Sequence, residues 1–309
     1  MRGSPKGWKV IAAGATLAAV VTVTAFYLFR PRYRTAAELV GLLPQSSAVV
    51  VYVDLNALRT AGFLKRFNES LATQEAEYRK FVTSTGFVYE RDLDALAVSS
   101  FPDQTFAVAR GRFDWKRLRD YVTANGGSCQ DSLCQVPASK PDRRLSFLRI
   151  RSNLMALAIS ADATAAYDLR PRTTRDHFQT PDYPAWVRVP KRLLDNPKSL
   201  PPPVQVIAVA LSGASSIVLG FRTDLSQRDT GGLLLRMDAS FDTAVYASLA
   251  RNHMAQLVGL FKSMASSQSA DPESADLSRA LSSGSFLSND SELQGEWHIP
   301  GTLIDSLLK

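Results

Sequence analysis

Two cysteines carry the most definite chemistry in the chain. Cys129 and Cys134 stand in GGSCQDSLCQVP with four residues between them, and Asp131-Ser132 supplies turn chemistry at the midpoint. If Ser128-Cys129 and Cys134-Gln135 face each other as strands, their α-carbons fall about 5 Å apart, inside disulfide range. Closing so short a loop contributes about 2 kcal/mol, the low end for a disulfide. A reduced pair is the alternative. Redox catalysis of the thioredoxin kind needs two intervening residues rather than four, and a metal site needs further ligands, with no histidine close by. A disulfide implies an oxidising compartment, the periplasm or the cell exterior.

The other reactive types are scattered. His177, His253 and His298 share no metal-ligand spacing and no H-E-x-x-H occurs, so no metal is expected. No G-x-S-x-G marks a nucleophilic serine, and a hydrolase would need Asp176, His177 and a serine to converge. Neither glycine-rich phosphate loop is present, so no nucleotide cofactor is expected. Asp92 with Asp94 and Glu292 with Glu296 could serve glycosidic chemistry, but they read as solvated strand and loop residues. No catalytic or cofactor-binding residue is assigned.

A basic, proline-rich stretch follows at 170–203. It carries seven basic against three acidic residues and reads as an extended segment joining two halves. Arg170, Arg172, Arg175, Trp186, Arg188, Lys191 and Arg192 would form a docking surface for acidic head groups or an envelope protein partner. The plainer reading is a solvated connector with Trp186 and Leu193 tucked against the core.

Residues 10–29, VIAAGATLAAVVTVTAFYLF, contain no charge. As a helix they span about 30 Å, the thickness of a bilayer's hydrocarbon core, with backbone groups satisfied internally. Trp8 and Tyr27 lie near its ends, where amphipathic rings favour the interface. The expectation is a signal anchor with the N-terminus cytoplasmic and the body periplasmic or extracellular, in a bacterial inner membrane. Cleavage after Ala25 is the rival. Of the 36 Lys and Arg, six lie in residues 1–34 beside no acid, which leaves the body 30 basic against 29 acidic side chains. The basic pI therefore belongs to one terminus and argues against a nucleic-acid partner.

The elements that must position these residues follow from pattern. Residues 47–54 read as a buried strand. Leu58, Ala61, Leu64, Phe67, Leu71 and Tyr78 recur at helical spacing, with Gly86 as the stop. Residues 93–100 and 105–113 make a hairpin, and Asp114 caps a helix ending at Gly126-Gly127. After the cysteine hairpin, 145–151 and 154–160 pair about Ser152-Asn153, and Asp162 can cap a short helix. In the second half, 204–212 and 215–223 read as a hairpin about Gly213-Ala214, and 231–241 as a strand running into a helix capped by Asp242. Val245, Leu249, Leu257, Leu260, Phe261 and Met264 make that helix's apolar stripe. A Ser-rich insert covers 263–291. Leu293, Gly295, Trp297 and Ile299 alternate on one face of a last strand, and a short helix closes the chain.

Both halves run from a strand through a Phe-Asp pair into a helix, Phe113-Asp114 and Phe241-Asp242, which suggests a duplicated β-β-α unit. The expected fold is α+β: an N-terminal transmembrane helix within 1–34, then antiparallel sheets with packed helices. The parts are a first subdomain at 35–169, the connecting segment at 170–203 and a second subdomain at 204–309.

LLPQSSAVVVYVDLNALR, AWVRVPKRLL, the Phe-Asp-capped helix and WHIPGTLIDSLL together resemble a group of bacterial envelope proteins. Those proteins are anchored by one N-terminal helix, carry domains of unknown function and occur for instance in acidobacteria. The resemblance covers most of 40–309. It implies an extracytoplasmic α+β body and transfers no catalytic residue. The expected function is a single-pass, non-catalytic binding or scaffold module. The alternatives are a carrier or sensor of an apolar or lipid-like ligand, held in a cavity lined by Phe106, Leu148, Ile217 and Phe261, and a periplasmic hydrolase.

Overall fold

Runs of valine, alanine and leucine with period-two alternation produce the strands, and helices cover the faces those strands leave apolar. The computed structural model describes residues 35–64, 76–138, 142–170, 180–196, 202–224, 232–267 and 280–307. In chain order the elements are α1 (Ala36–Val40), β1 (Val49–Val53), α2 (Leu55–Thr60), α3 (Ala76–Thr85), α4 (Tyr89–Asp92), β2 (Leu93–Ser100), β3 (Thr105–Gly111) and α5 (Trp115–Ala124). Then come β4 (Ser128–Gln130), β5 (Leu133–Pro137), β6 (Arg144–Arg151), β7 (Leu154–Ser160), a 3₁₀ helix (Ala165–Leu169), β8 (Ala185–Pro190), α6 (Lys191–Leu194) and α7 (Pro202–Ala210). The last are β9 (Ala214–Thr223), β10 (Leu233–Phe241), α8 (Ala244–Ser267), β11 (Ser285–Asn289), β12 (Glu292–Ile299) and α9 (Gly301–Leu307).

All twelve strands join one antiparallel sheet in the order β11-β12-β10-β9-β8-β1-β2-β3-β7-β6-β5-β4. The order repeats about its middle. Outward from the central pair, β1-β2-β3-β7-β6 mirrors β8-β9-β10-β12-β11, with β4 and β5 added at the first half's edge. Each half places a helix after its third strand, α5 and α8, before the outer hairpin returns. The central register has the same symmetry. Val51 pairs with Val187, flanked by Val50–Arg188 and Tyr52–Trp186, and exchanging the two strands about Val51–Val187 maps each flanking pair onto the other.

The stretch read as a connector thus supplies a central strand. β8 pairs with β1 on one side and β9 on the other, and Trp186 is only 1% exposed and stacks on Tyr52 at 5.9 Å. An indole buried this deeply contributes several kcal/mol by area and anchors the seam between halves. Residues 36–309 accordingly form a single compact unit.

Four expectations are corrected. The helix predicted from Leu58 onward breaks at Gly62, whose φ of +78° is left-handed backbone that glycine adopts without strain. Residues 204–212 are not a strand: Pro202–Ala210 is helical, and Gly213 at φ +91° turns the chain into β9. A continuous apolar run cannot by periodicity be told from a buried helix, and prolines at its start favour the helix. The third correction is at α8, where the packed stripe is Ala247, Ala250, Met254 and Val258. The larger Val245, Leu249 and Leu260 stand 74%, 48% and 54% exposed, because the sheet beneath accepts the small residues. Last, the cap of α8 is the hydroxyl of Thr243, which accepts the Tyr246 N–H, one residue beyond Asp242.

The apolar run at 10–29 lies outside the described residues. Among the described residues no helix is long and apolar enough to cross a membrane.

Candidate functional site

The first half of the sheet has two unlike faces. On one, Ala95, Ala97, Val108, Ala156, Ala158 and Leu148 are buried. The Ser99 hydroxyl ties the α1 segment to this face by donating to the carbonyl of Pro44, and the Ser146 hydroxyl ties down the 3₁₀ helix by accepting the Ala166 N–H. On the opposite face, registered rows run across the strands. One row is Val98, Ala107, Leu157, Phe147, Cys134 and Cys129; its neighbour is Leu96, Ala109, Met155 and Arg149. α3 and α5 lie over this face, with Leu118 and Val122 directed at it.

The rows leave a hollow. A cavity of about 390 Å³ lies between the sheet and the two helices, and its exposed wall is entirely apolar. Its floor includes Leu96 and Val98 on β2, Ala107 and Ala109 on β3, Met155 and Leu157 on β7, and Leu145 and Phe147 on β6. Its roof is Phe81 on α3 with Leu118, Tyr121 and Val122 on α5. An aromatic chain holds the roof open: Phe81 meets Tyr121 edge-on at 5.2 Å, Phe87 stacks on Phe113 at 5.5 Å, and Phe113 leans on Trp115 at 5.4 Å.

Side-chain size explains the hollow. Followed outward from the central pair, Val51 leads through Val98 to Ala107 and Val187 leads through Leu219 to Met237, so the position occupied by Ala107 in the first half holds Met237 in the second, while Ala109 matches Ala239. There Leu235 and Met237 pack with Leu211, Phe241 and Trp297 beneath α8. Interiors close to crystal density rarely leave room for ligand-sized voids, and an alanine where the repeat carries Met237 leaves space over the middle strand.

A second cleft of about 540 Å³ adjoins it, lined by Trp115, Lys116, Arg119, Asp120, Thr123, Arg149 and the cysteine hairpin. Phe147 lines both spaces. α5 is the partition: Leu118 and Val122 face the apolar cavity, while Lys116, Arg119 and Thr123 face the polar cleft. Lys116 pairs with Asp120 at 3.0 Å, and the Arg149 guanidinium lies 5.4 Å from the Trp115 ring centre. Trp115 is itself fixed by its indole N–H, which donates to the carbonyl of Ser152 at 2.9 Å.

One carboxylate locks the entry to α5. Asp92 accepts hydrogen bonds from Nε and Nη2 of Arg91, at 2.9 and 2.6 Å, and from the Val88 N–H at 3.0 Å, with Arg112 Nε at 3.5 Å. These bonds, the Arg91 pair foremost, outweigh burial and hold its carboxyl down at about 2. Two tyrosines beside it are pushed up by burial, Tyr89 to about 12, with Glu90 adding to the rise.

The sequence-predicted residues are dispersed. Cys129 and Cys134 are cross-strand partners with α-carbons 4.0 Å apart and are joined in a disulfide, on the wall of the polar cleft. Arg170 is exposed over the Tyr167 ring, at 4.0 Å, while Arg172 and Arg175 lie outside the described residues. Trp186 is core, as the plainer reading expects, and takes no part in a docking surface, being 1% exposed and stacked on Tyr52. Arg188 is half-buried within reach of the Gln45 side-chain carbonyl at 3.4 Å, and desolvation lowers its pKa. Lys191 pairs with Asp195 at 2.8 Å, and Arg192 donates to the carbonyl of Ser47. Arg188 and Arg192 thus tie β8 and α6 to residues 45–47, whereas Lys191 and Arg170 make local contacts at the surface.

The expected cavity lining is also corrected. Phe106 and Leu148 lie on the opposite face of the sheet, where Phe106 borders a separate cleft, Ile217 lies in the second core and Phe261 is on α8, so none of the four lines the void. Asp176 and His177 lie outside the described residues. His298 meets the buried Asp224 at 2.6 Å, but the nearby Ser283 hydroxyl is bonded to main-chain groups of residues 280 and 298. Among the described residues no three His, Cys, Asp or Glu side chains converge as metal ligands. The cavity escaped sequence reading because its signal, an alanine at 107 where the repeat has Met237, appears only once the halves are aligned by strand register.

No family model and no curated protein matches the chain. Among solved structures, crystal form I of TP0453 is similar at 10% identity over 89% of this chain and 98% of that one, with a TM-score of 0.46. Crystal form III of TP0453 is similar at 9% identity over 87% of this chain and 96% of that one, with a TM-score of 0.47. The chain is an α+β protein built on one large antiparallel sheet.

Proposed function

We propose that this protein is a non-catalytic binding module of the bacterial envelope that holds an apolar ligand between its sheet and helices α3 and α5. The observation that carries the reading is the cavity of about 390 Å³ beneath α3 and α5, apolar over its whole exposed wall. Pockets of this size and lining suit small apolar molecules. Residues 10–29 anchor the chain in the inner membrane with the body outside, where the Cys129–Cys134 bond is stable. The body arose by duplication of a β-α-β-β-α-β-β unit, with the second copy starting at β8 rather than at residue 204. Duplication supplied two similar covered faces, and Ala107 in place of the repeat's Met237 opened space on one of them.

The test uses the full-length chain in lipid nanodiscs exposed to a diazirine-bearing alkyl probe, followed by light and peptide mapping. The expected label falls on peptides carrying Phe81, Leu145–Phe147 and Met155. Label spread evenly over the surface, or confined to residues 10–29, refutes the reading.

A further inference from the structure

We infer that the occupant of this cavity is a single-chain amphiphile with an anionic head, its chain in the apolar cavity and its head in the adjoining cleft. The inference rests on the binding reading above and names the ligand class. Three features of the geometry carry it. First, the two spaces share a wall: Phe147 borders both, and α5 presents apolar residues to one and Lys116 and Arg119 to the other. Second, strand β6 leads from one to the other. Leu145, Phe147 and Arg149 occupy successive positions on one face, so a chain lying against Leu145 and Phe147 brings its head to Arg149 about 7 Å further along. Third, the charges in the cleft are unequal. Lys116, Arg119 and Arg149 face Asp120 and Asp131, and Asp120 is taken by Lys116. Arg119 and Arg149 therefore outnumber the remaining Asp131 where the head would sit.

Size sets the chain length. A methylene occupies about as much space as a water's ~30 Å³ share of the liquid, so roughly a dozen carbons fill the 390 Å³ cavity. Arg149 is held over the Trp115 ring, which pre-orders its guanidinium for a carboxylate or phosphate. The shared chemistry is one alkyl chain and one anionic group.

Competition against the alkyl photoprobe, on the full-length chain in nanodiscs of zwitterionic lipid, tests this. The competitors are dodecanoate, dodecyl phosphate, dodecanol and dodecyltrimethylammonium, with protein-free nanodiscs as blank. Both charges are exposed, so the expected advantage is modest: the anions displace the probe at about fivefold lower concentration than dodecanol, and the cation is no better than dodecanol. Arg149→Gln and Arg119→Gln should each reduce the anion advantage while leaving dodecanol unchanged. Arg144→Gln, on the other face of β6, should leave both unchanged. The dodecanoate and dodecyl phosphate arms separate a fatty acid from a phospholipid source. Equal competition by anion and alcohol in the unaltered protein overturns the head-group assignment while the apolar site stands. Absence of any cavity label overturns both.

Discussion

Replacing Ala107 by leucine should stabilise this protein and empty its site in one step. Ala107 sits on β3 in the middle of the cavity floor, at the position its repeat partner fills with Met237. Leucine adds three carbons to space now unoccupied, and at about 0.8 kcal/mol per buried methylene the ceiling is about 2.4 kcal/mol. Loss of leucine rotamer freedom takes back about 0.5–1 kcal/mol, leaving about 1–2 kcal/mol. For a body of this size that raises Tm by roughly 3–6 °C. The same substitution at Ala97 is the control. Ala97 pairs with Val108 on the neighbouring strand, faces the sealed side and is 0% exposed, so leucine there overpacks and costs about 1–3 kcal/mol. Thermal denaturation of the full-length protein reads the sign, and photolabelling reads occupancy. If Ala107→Leu destabilises as much as Ala97→Leu, the hollow does not exist in solution. If it stabilises but cavity labelling persists, the ligand lies elsewhere.

Three further outcomes are expected. Asp92 has a folded pKa of about 2 against an ordinary 3.8, so its contribution of about 2 kcal/mol is present above pH 4 and is lost as pH falls toward 2; Asp92→Asn should remove that contribution at neutral pH and flatten the acid limb of a stability–pH curve. Cys129 and Cys134 should resist alkylation in protein taken directly from cells and react after reduction, and the Cys129→Ala/Cys134→Ala chain should lose about 2 kcal/mol in urea denaturation. On α8, Met254→Asp should cost more than 3 kcal/mol and Leu249→Asp less than 0.5 kcal/mol, since the first is 3% and the second 48% exposed; equal costs would mean that the outer stripe is covered.

Much of the first half was legible because its signals are local. Asp114 stands before the helix it caps, accepting the Arg117 N–H at 3.1 Å, and the turn at Asp131-Ser132 sets Cys129 opposite Cys134. Period-two alternation placed Leu293, Gly295 and Trp297 on one buried face of β12. Reading failed where the partner decides. The stripe of α8 was chosen by side-chain size, yet the sheet selected alanines, because close approach of a helix to a sheet needs small residues at the contact. Trp186 is core, as the plainer reading expects; what local sequence does not show is that its segment pairs with β1 and β9 as a central strand.

The amino-acid sequence alone determined the α+β class, the two strand-to-helix switches at Phe-Asp and the pairing of the only two cysteines, since each depends on residues within a few positions of one another. Tertiary structure alone decided that one sheet runs through both halves, that β8 is its central seam and that a hollow lies beneath α3 and α5. The reason is physical: caps, turns and alternation are fixed by the local backbone, whereas a void exists only as the difference between the volume that distant elements enclose and the volume that their side chains fill.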